Sequence, residues 1–253
     1  MSSNSITEKE GSKDNYYVQT VAMDSPPPPT QMQPLQRTFG NPVRFPALLI
    51  QHLLIGLQAP LGMMAYGTVF LCSSILTLAS KSVGSPSLVM VFATFYGGIS
   101  QTLVGMWEMY LGNTFSATVF TTYGGFNLSY GALYLPQIGL AAAYTVDGVI
   151  GQEFYNAIGI YLAIWDLITF VFLLGALRTT LPIIATLGFT VCALTCLSIN
   201  SFTGNPHFAT AGGALGIIAS FGAYYGALSL FWTQQTTFSF IRLPLLIAAP
   251  SNV

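Results

Sequence analysis

The chain has 253 residues, 53% of them hydrophobic and only 6% charged, with a formal net charge of −1 at pH 7. A soluble domain carries charge at about a quarter of its positions, so this composition excludes one and points to lipid as the solvent. A charge balance this close to neutral also argues against a nucleic-acid partner.

Residues 1–44 are polar, mixed in charge and stiffened by the Pro26–Pro29 run. Such a segment has too little apolar surface to order itself. It reads as a disordered cytoplasmic tail without a signal peptide. Beyond it, only Lys81, Glu108, Asp147, Glu153, Asp166 and Arg178 carry charge between Arg44 and Arg242.

A membrane-spanning helix needs about 20 mostly apolar residues. Residues 45–241 hold six such stretches, which makes the expected fold an all-α integral membrane protein of six transmembrane helices. The first runs from about Ala59 to Ala79 and ends near Lys81, Gly84 and Pro86. The second is Ser87 to Met109, and the third is Thr114 to Leu135, stopped before Pro136. The fourth is Asn156 to Leu177, closed by Arg178. The fifth is Leu181 to Ile199, the sixth Phe208 to Trp232, and residues 242–253 form a short C-terminal tail. The stretch Pro42 to Gln58 has leucines at helical spacing and reads either as an interfacial helix or as an extension of the first span.

Positive charge near the span ends sets orientation. An even number of spans leaves both termini on one side. Arg37, Arg44, Arg178 and Arg242 then share that side, against Lys81 alone on the other. Both termini are therefore expected in the cytoplasm. The Asn127-Leu128-Ser129 sequon falls mid-helix, where it should stay unmodified.

Gly112-Asn113-Thr114-Phe115-Ser116-Ala117-Thr118 before the third span echoes Gly204-Asn205-Pro206-His207-Phe208-Ala209-Thr210 before the sixth. Tyr130-Gly131-Ala132-Leu133 likewise echoes Tyr225-Gly226-Ala227-Leu228. Three spans separate the copies, an odd number that flips orientation. The echo is either chance among small residues or the mark of two inverted three-helix repeats, with a substrate path between them.

The third span is unusually polar. Thr114, Thr118, Thr121 and Thr122 fall on neighbouring helical positions, and Asn127 lies beyond them. The stripe either faces an aqueous cavity or makes hydrogen bonds between helices. Asn113 and Asn205 precede helices, as N-caps or as helix starts whose positive ends face an anion. Glu108 beside Trp107 reads as an interfacial anchor or a partner for a cytoplasmic arginine. Asp166 lies inside the fourth span, where an ionised carboxylate is costly. It is a candidate for proton coupling, or else a carboxyl hydrogen-bonded to a neighbouring helix or protomer. Gly97, Gly98 and Gly105, with the spaced glycines of the sixth span, permit close helix contact within a protomer or between protomers.

The three cysteines all fall in apolar runs and read as small core residues. His52 and His207 have no ligand company at metal spacing, so no metal site is expected. No nucleophile elbow, phosphate loop or catalytic carboxylate pair is present, which argues against an enzyme and calls for no cofactor.

Several motifs carry a resemblance. They are Ala59-Pro60-Leu61-Gly62-Met63, Phe95-Tyr96-Gly97-Gly98 with Gln101, Gly105-Met106-Trp107-Glu108, Gly112-Asn113-Thr114-Phe115 and Thr122-Tyr123-Gly124-Gly125-Phe126. Asn156-Ala157-Ile158-Gly159 with Trp165, Gly204-Asn205 and Arg242-Leu243-Pro244 continue the pattern. From Ala59 to Pro244, in this order, the chain resembles the acetate/succinate transporter family of fungi and bacteria. The family's first signature begins Asn-Pro where this chain has Leu57-Gln58.

The resemblance implies six helices per protomer, a homo-hexamer in the plasma membrane and a pathway through each protomer. It also implies a constriction at Tyr66, Tyr123 and Thr190, where Tyr66 replaces the usual Phe and Thr190 the usual Leu. Each tyrosine ring would block water, and each hydroxyl would donate to a carboxylate. The expected function is transport of acetate or a similar small monocarboxylate, proton-coupled or channel-like. The alternatives are a sensor or scaffold without flux, and an ammonium or ammonia exporter.

Overall fold

The structure, a computed structural model, describes residues 48–79 and 87–248, the side chains of 48–58 and 87 excepted. The expected tail 1–44, the span-ending Lys81, Gly84 and Pro86, and the side chains of His52, Leu57 and Gln58 lie outside what is described.

Helix α1 (Leu48–Leu78) runs unbroken through Pro60. The described part of the ambiguous stretch therefore extends the first span rather than forming a separate helix. The second span is not a uniform helix. It is built from α2 (Ser87–Val91), a π-helical segment (Phe92–Gly98) and α3 (Ile99–Tyr110). The wider turn fits the freed backbone at its end, where Thr102 Oγ1 donates to the Gly98 carbonyl (2.7 Å). Local satisfaction of this kind is what lets irregular helix persist in lipid.

Helix α4 (Thr114–Leu133) starts at Asn113, whose side chain accepts from the Ser116 N–H. A short α5 (Leu140–Ala143) leads into a hairpin of β1 (Thr145–Val146) and β2 (Val149–Ile150). Its two turn residues, Asp147 and Gly148, have φ of 52° and 79°. Asp-Gly suits a tight hairpin whose central residues both need positive φ.

The fourth span, α6 (Gln152–Ala176), begins four residues earlier than the sequence suggests, directly after the hairpin. Helices α7 (Leu181–Thr203) and α8 (Pro206–Phe231) complete the set. The segment after α8 is pinned at the start of α7, where the Leu181 N–H donates to the Leu246 carbonyl and the Ala248 N–H to the Thr179 carbonyl.

Among the described residues, five helices are long and apolar enough to cross a membrane: the later part of α1, the α2–π–α3 rod, α6, α7 and α8. Helix α4 has the length, 20 residues, but carries four threonines, two serines and an asparagine. Large apolar side chains such as Phe95, Leu103, Leu167 and Phe221 stand exposed on the outer faces, where lipid rather than water is the favourable neighbour.

The helices pack as a chain of neighbours: α4 on α3, α3 on α1, α1 on α8, α8 on α7 and α7 on α6. Small residues set the contacts. A Cβ at Gly105 would strike Thr121, one at Gly124 would strike Thr102, and one at Gly131 would strike Thr94. Each glycine on one side thus receives a threonine from the other. On the α1–α8 seam Gly216 receives Ser74, and Gly67 lies against the Ser220 carbonyl. These glycines all serve contacts within the protomer.

Candidate functional site

The remaining seam, between α4 and α6, is closed by side chains. Ser129 and Tyr161 share a hydrogen bond (2.7 Å). The Phe126 ring lies 4.9 Å from that of Trp165, edge to face, and Tyr123 O–H donates to Thr169 Oγ1 (3.1 Å). Next to this seam the Tyr66 and Tyr123 rings meet edge to face at 5.4 Å.

Tyr66 O–H is hydrogen-bonded to Thr190 Oγ1. Thr190 spends its one proton on the Thr186 carbonyl (2.6 Å), so Tyr66 is the donor. Thr169 likewise donates to the Trp165 carbonyl (2.8 Å), which makes Tyr123 the donor to Thr169. Both tyrosine protons are therefore already committed to threonines. The expectation that these hydroxyls donate to a passing carboxylate does not hold for this conformation.

Two cavities meet at this ring pair. The small one, about 70 Å³, includes Met63, Gln101, Phe115, Val119, Thr186 and Leu187 in its walls. The large one, about 630 Å³, reaches the hairpin at Ile150 and the start of α6 at Phe154, and includes Phe126, Tyr130, Trp165, Thr190 and Asn200. Among the described residues, Tyr66 and Tyr123 are the two that line both. Asn127 faces the large cavity and Gln101 the small one, and Asn127 Nδ2 donates to Gln101 Oε1 (2.6 Å).

The structure brings Tyr66, Tyr123, Thr190 and Asn127 together but places the threonine stripe elsewhere. Thr114, Thr118, Thr121 and Thr122 line neither cavity. Thr118 is exposed and donates to the Thr114 carbonyl (2.8 Å), and Thr121 fills the notch at Gly105. The cavity face of α4 is the aromatic one. Its Phe126 and Tyr130, with Tyr134 at its C-cap, recur at four-residue spacing, as do Tyr161 and Trp165 on α6. That spacing places side chains on one helix face and was the signal available in the sequence.

Glu108 is buried and its Oε2 accepts from Asn113 Nδ2 (2.7 Å), so its partner is an asparagine rather than an arginine. Gly112 (φ 81°) and Gly204 (φ 65°) make the same left-handed turn before their capping asparagines. Of the first signature, Ala59 and Leu61 stay on the outer part of α1, Pro60 is buried, and Gly62 leaves room for the Phe120 ring. Asp166 lines neither cavity. Its Oδ2 accepts from Thr195 Oγ1 on α7 (2.6 Å).

Residues 29–247 match the GPR1/FUN34/yaaH family. The chain belongs to that family. Among its relatives is ammonia transport outward protein 2 of Saccharomyces cerevisiae, 34% identical over 194 residues that cover 77% of this chain and 67% of the relative. Acetate permease A of Emericella nidulans is 33% identical over 178 residues, covering 68% of this chain and 60% of the permease. The structure of the bacterial acetate channel SatP superposes with a TM-score of 0.63 at 27% identity, over 74% of this chain and 97% of the channel. With its long apolar helices, this family member is a multi-pass membrane protein.

Proposed function

We propose that this chain carries acetate or a similar small monocarboxylate across a membrane, through the two cavities and past the Tyr66–Tyr123 pair. The observation that carries the reading is that, among the described residues, these two rings alone line both cavities. A passage closed by rings that must swing aside excludes bulk water while admitting a small solute. The hydrogen bond from Tyr66 to Thr190 holds one ring in the closed position. The names of the acetate permease and the acetate channel among the relatives support the same substrate.

Conduction is channel-like in this proposal, because Asp166, the intramembrane carboxyl considered for proton coupling, lines neither cavity. Helix α4 also crosses in this proposal, as the third of six spans despite its polarity, and the paired Gly-Asn turns support two inverted halves. A homo-hexamer in the plasma membrane, with both termini cytoplasmic and one passage per copy, completes the proposal. Cross-linked mass in detergent tests the copy number.

The deciding experiment is labelled-acetate uptake into proteoliposomes, with and without an imposed inward proton gradient. Saturable uptake that is indifferent to the gradient is the expected result. Uptake that appears only with the gradient would replace the channel by a symporter. No uptake by correctly folded protein would favour a sensor or scaffold.

Outward ammonium movement is the second reading. The aromatic walls of the large cavity favour it, since ring faces attract cations, and so does the name of the yeast ammonia transport protein. Methylammonium efflux from the same liposomes separates the two.

A further inference from the structure

The chain does not leave the bundle where α8 ends. From Trp232 it turns back along the helix ends. The Leu181 N–H donates to the Leu246 carbonyl and the Ala248 N–H to the Thr179 carbonyl. Tyr225 O–H, on the side of α8, donates to the Pro244 carbonyl (3.0 Å). Three hydrogen bonds thus strap residues 232–248 across the start of α7 and the end of α8.

Helix length sets the depth of this strap. Helix α8 has 26 residues, about 39 Å at 1.5 Å per residue. The hydrocarbon of a bilayer is about 30 Å thick, so the helix exceeds it by about 9 Å. Tyr225 precedes Phe231, the last residue of α8, by one and two-thirds turns, again about 9 Å. However the excess is divided between the two ends, the hydrocarbon boundary falls between Tyr225 and Phe231. A segment bonded to the Tyr225 hydroxyl lies at that boundary rather than out in water.

The side chains suit this depth. From Trp232 to Val253 the one charged residue is Arg242. Phe238 and Phe240 are 73% and 82% exposed, and their rings stack at 5.8 Å, 19° from parallel. Leu245 and Ile247 are exposed too, as is Phe231 where the segment begins. The apolar surface of the last span therefore continues into the strap. Water is a poor neighbour for such a patch, whereas the boundary between headgroups and acyl chains accepts it. The irregular backbone fits the same layer, because headgroup water satisfies peptide groups that hydrocarbon cannot.

We propose that residues 232–248 form an interfacial membrane strap, with the stacked Phe238 and Phe240 rings seated in the lipid between headgroups and acyl chains. Arg242 adds a cation, the charge that anionic lipid headgroups attract. The strap joins the end of the last span to the start of α7, the helix that carries Thr190, and so fixes where α7 enters the bilayer. The inference needs only that α7 and α8 cross the membrane and is independent of the solute carried.

The test is the depth of a reporter at these two rings, in the full chain reconstituted into vesicles. Cys72, Cys192 and Cys196 are replaced by alanine, and Phe238→Cys or Phe240→Cys is labelled with bimane. Each protein is first checked for a monodisperse size-exclusion profile. Phe221→Cys on the outer face of α8 is the hydrocarbon reference, and Glu153→Cys, exposed in the first turn of α6, is the water reference. At 238 and 240, lipids brominated near the headgroup should remove most of the fluorescence. Lipids brominated at the chain ends should remove little, and aqueous iodide less than it does at 153.

Iodide quenching equal to that at 153, without quenching by brominated lipid, puts the rings in water and overturns the strap. Chain-end quenching equal to that at 221 puts them in hydrocarbon and overturns the interfacial depth. Protection from both quenchers shows that protein covers the patch, a second copy or another part of this chain, and overturns the lipid contact. A second measurement keeps the native cysteines. In vesicles with trypsin on both sides, the double variant Phe238→Asp, Phe240→Asp should be cut after Arg242 faster than the parent. Equal rates would show that the rings do not hold the strap to the membrane.

Discussion

Helix α4 has two working sides, and they are built oppositely. Toward α3 it offers threonines and glycines that interlock with glycines and threonines on the partner, at Gly105–Thr121, Thr102–Gly124 and Thr94–Gly131. Toward α6 it offers rings that reach across a gap, at Tyr123–Phe172, Phe126–Trp165 and Tyr130–Tyr161. The first seam has no slack, because backbone lies within contact distance of backbone. The second is spanned by side chains that turn about single bonds. Polarity marks the rigid seam and aromaticity the one that can open, the reverse of the intuition that a polar stripe faces water. A threonine in a membrane helix can satisfy its hydroxyl on its own backbone and so needs no aqueous neighbour.

The contrast can be broken most severely at its rigid side. In Gly105→Val the new side chain would meet Thr121 Oγ1, with the Thr121 nitrogen at 2.6 Å and the Ala117 carbonyl at 3.0 Å. Backbone cannot yield there, so a loss of at least about 3 kcal/mol is expected, the upper range of overpacking costs. Thermal unfolding in detergent should show little or no folded protein.

The movable side should respond in rate rather than in folding. Tyr66→Phe removes the donor to Thr190, a bond worth about 1 kcal/mol. Acetate flux should rise by about five-fold as the closed state loses that support. An unchanged or lower flux would show that the bond does not hold the door.

Gly125 lies next in sequence to Gly124, but a Cβ there meets nothing within 4 Å. Gly125→Ala should therefore stabilise the protein by about 0.5–1 kcal/mol, the ordinary helix gain, visible as a small upward shift in melting temperature. Destabilisation would mean that α4 meets another surface on that face.

The smallest effect is expected at Asp166→Asn, which keeps the contact with Thr195 and touches neither cavity. The pH dependence of uptake should match that of the parent. A flattened profile would restore proton coupling through this carboxyl.

Much of the frame was legible in the sequence, because hydrocarbon length and the scarcity of charge are one-dimensional signals. The Gly-Asn turns before α4 and α8 could be read as helix starts, since capping is local. Tyr66, Tyr123 and Thr190 were reached through resemblance rather than periodicity. What they do together depends on where two threonine protons go, and that is decided by backbone carbonyls a turn away in the same helix. The threonine stripe misled because polarity says that a side chain needs a partner, not where the partner lies. Gln101 stood in a motif without a role, since the bond it accepts from Asn127 is visible only once its surroundings are known. The Asp-Gly hairpin left a local signal, positive φ at two adjacent residues, and it sets α6 starting four residues early.

The π-helical segment at Phe92–Gly98 also fixes an angular phase between the two halves of its rod. A regular α-helix advances about 100° per residue. Removing one residue from the wide turn and letting it close to regular helix takes out the residue that widens it, so Ser87–Val91 would keep roughly their present phase relative to Ile99–Tyr110. Val89 would then keep its place in the wall of the large cavity, and Gly105 its threonine. Within this stretch a single-residue deletion, seldom tolerated in a membrane span, would leave the span long enough to cross and both of its ends facing their present partners.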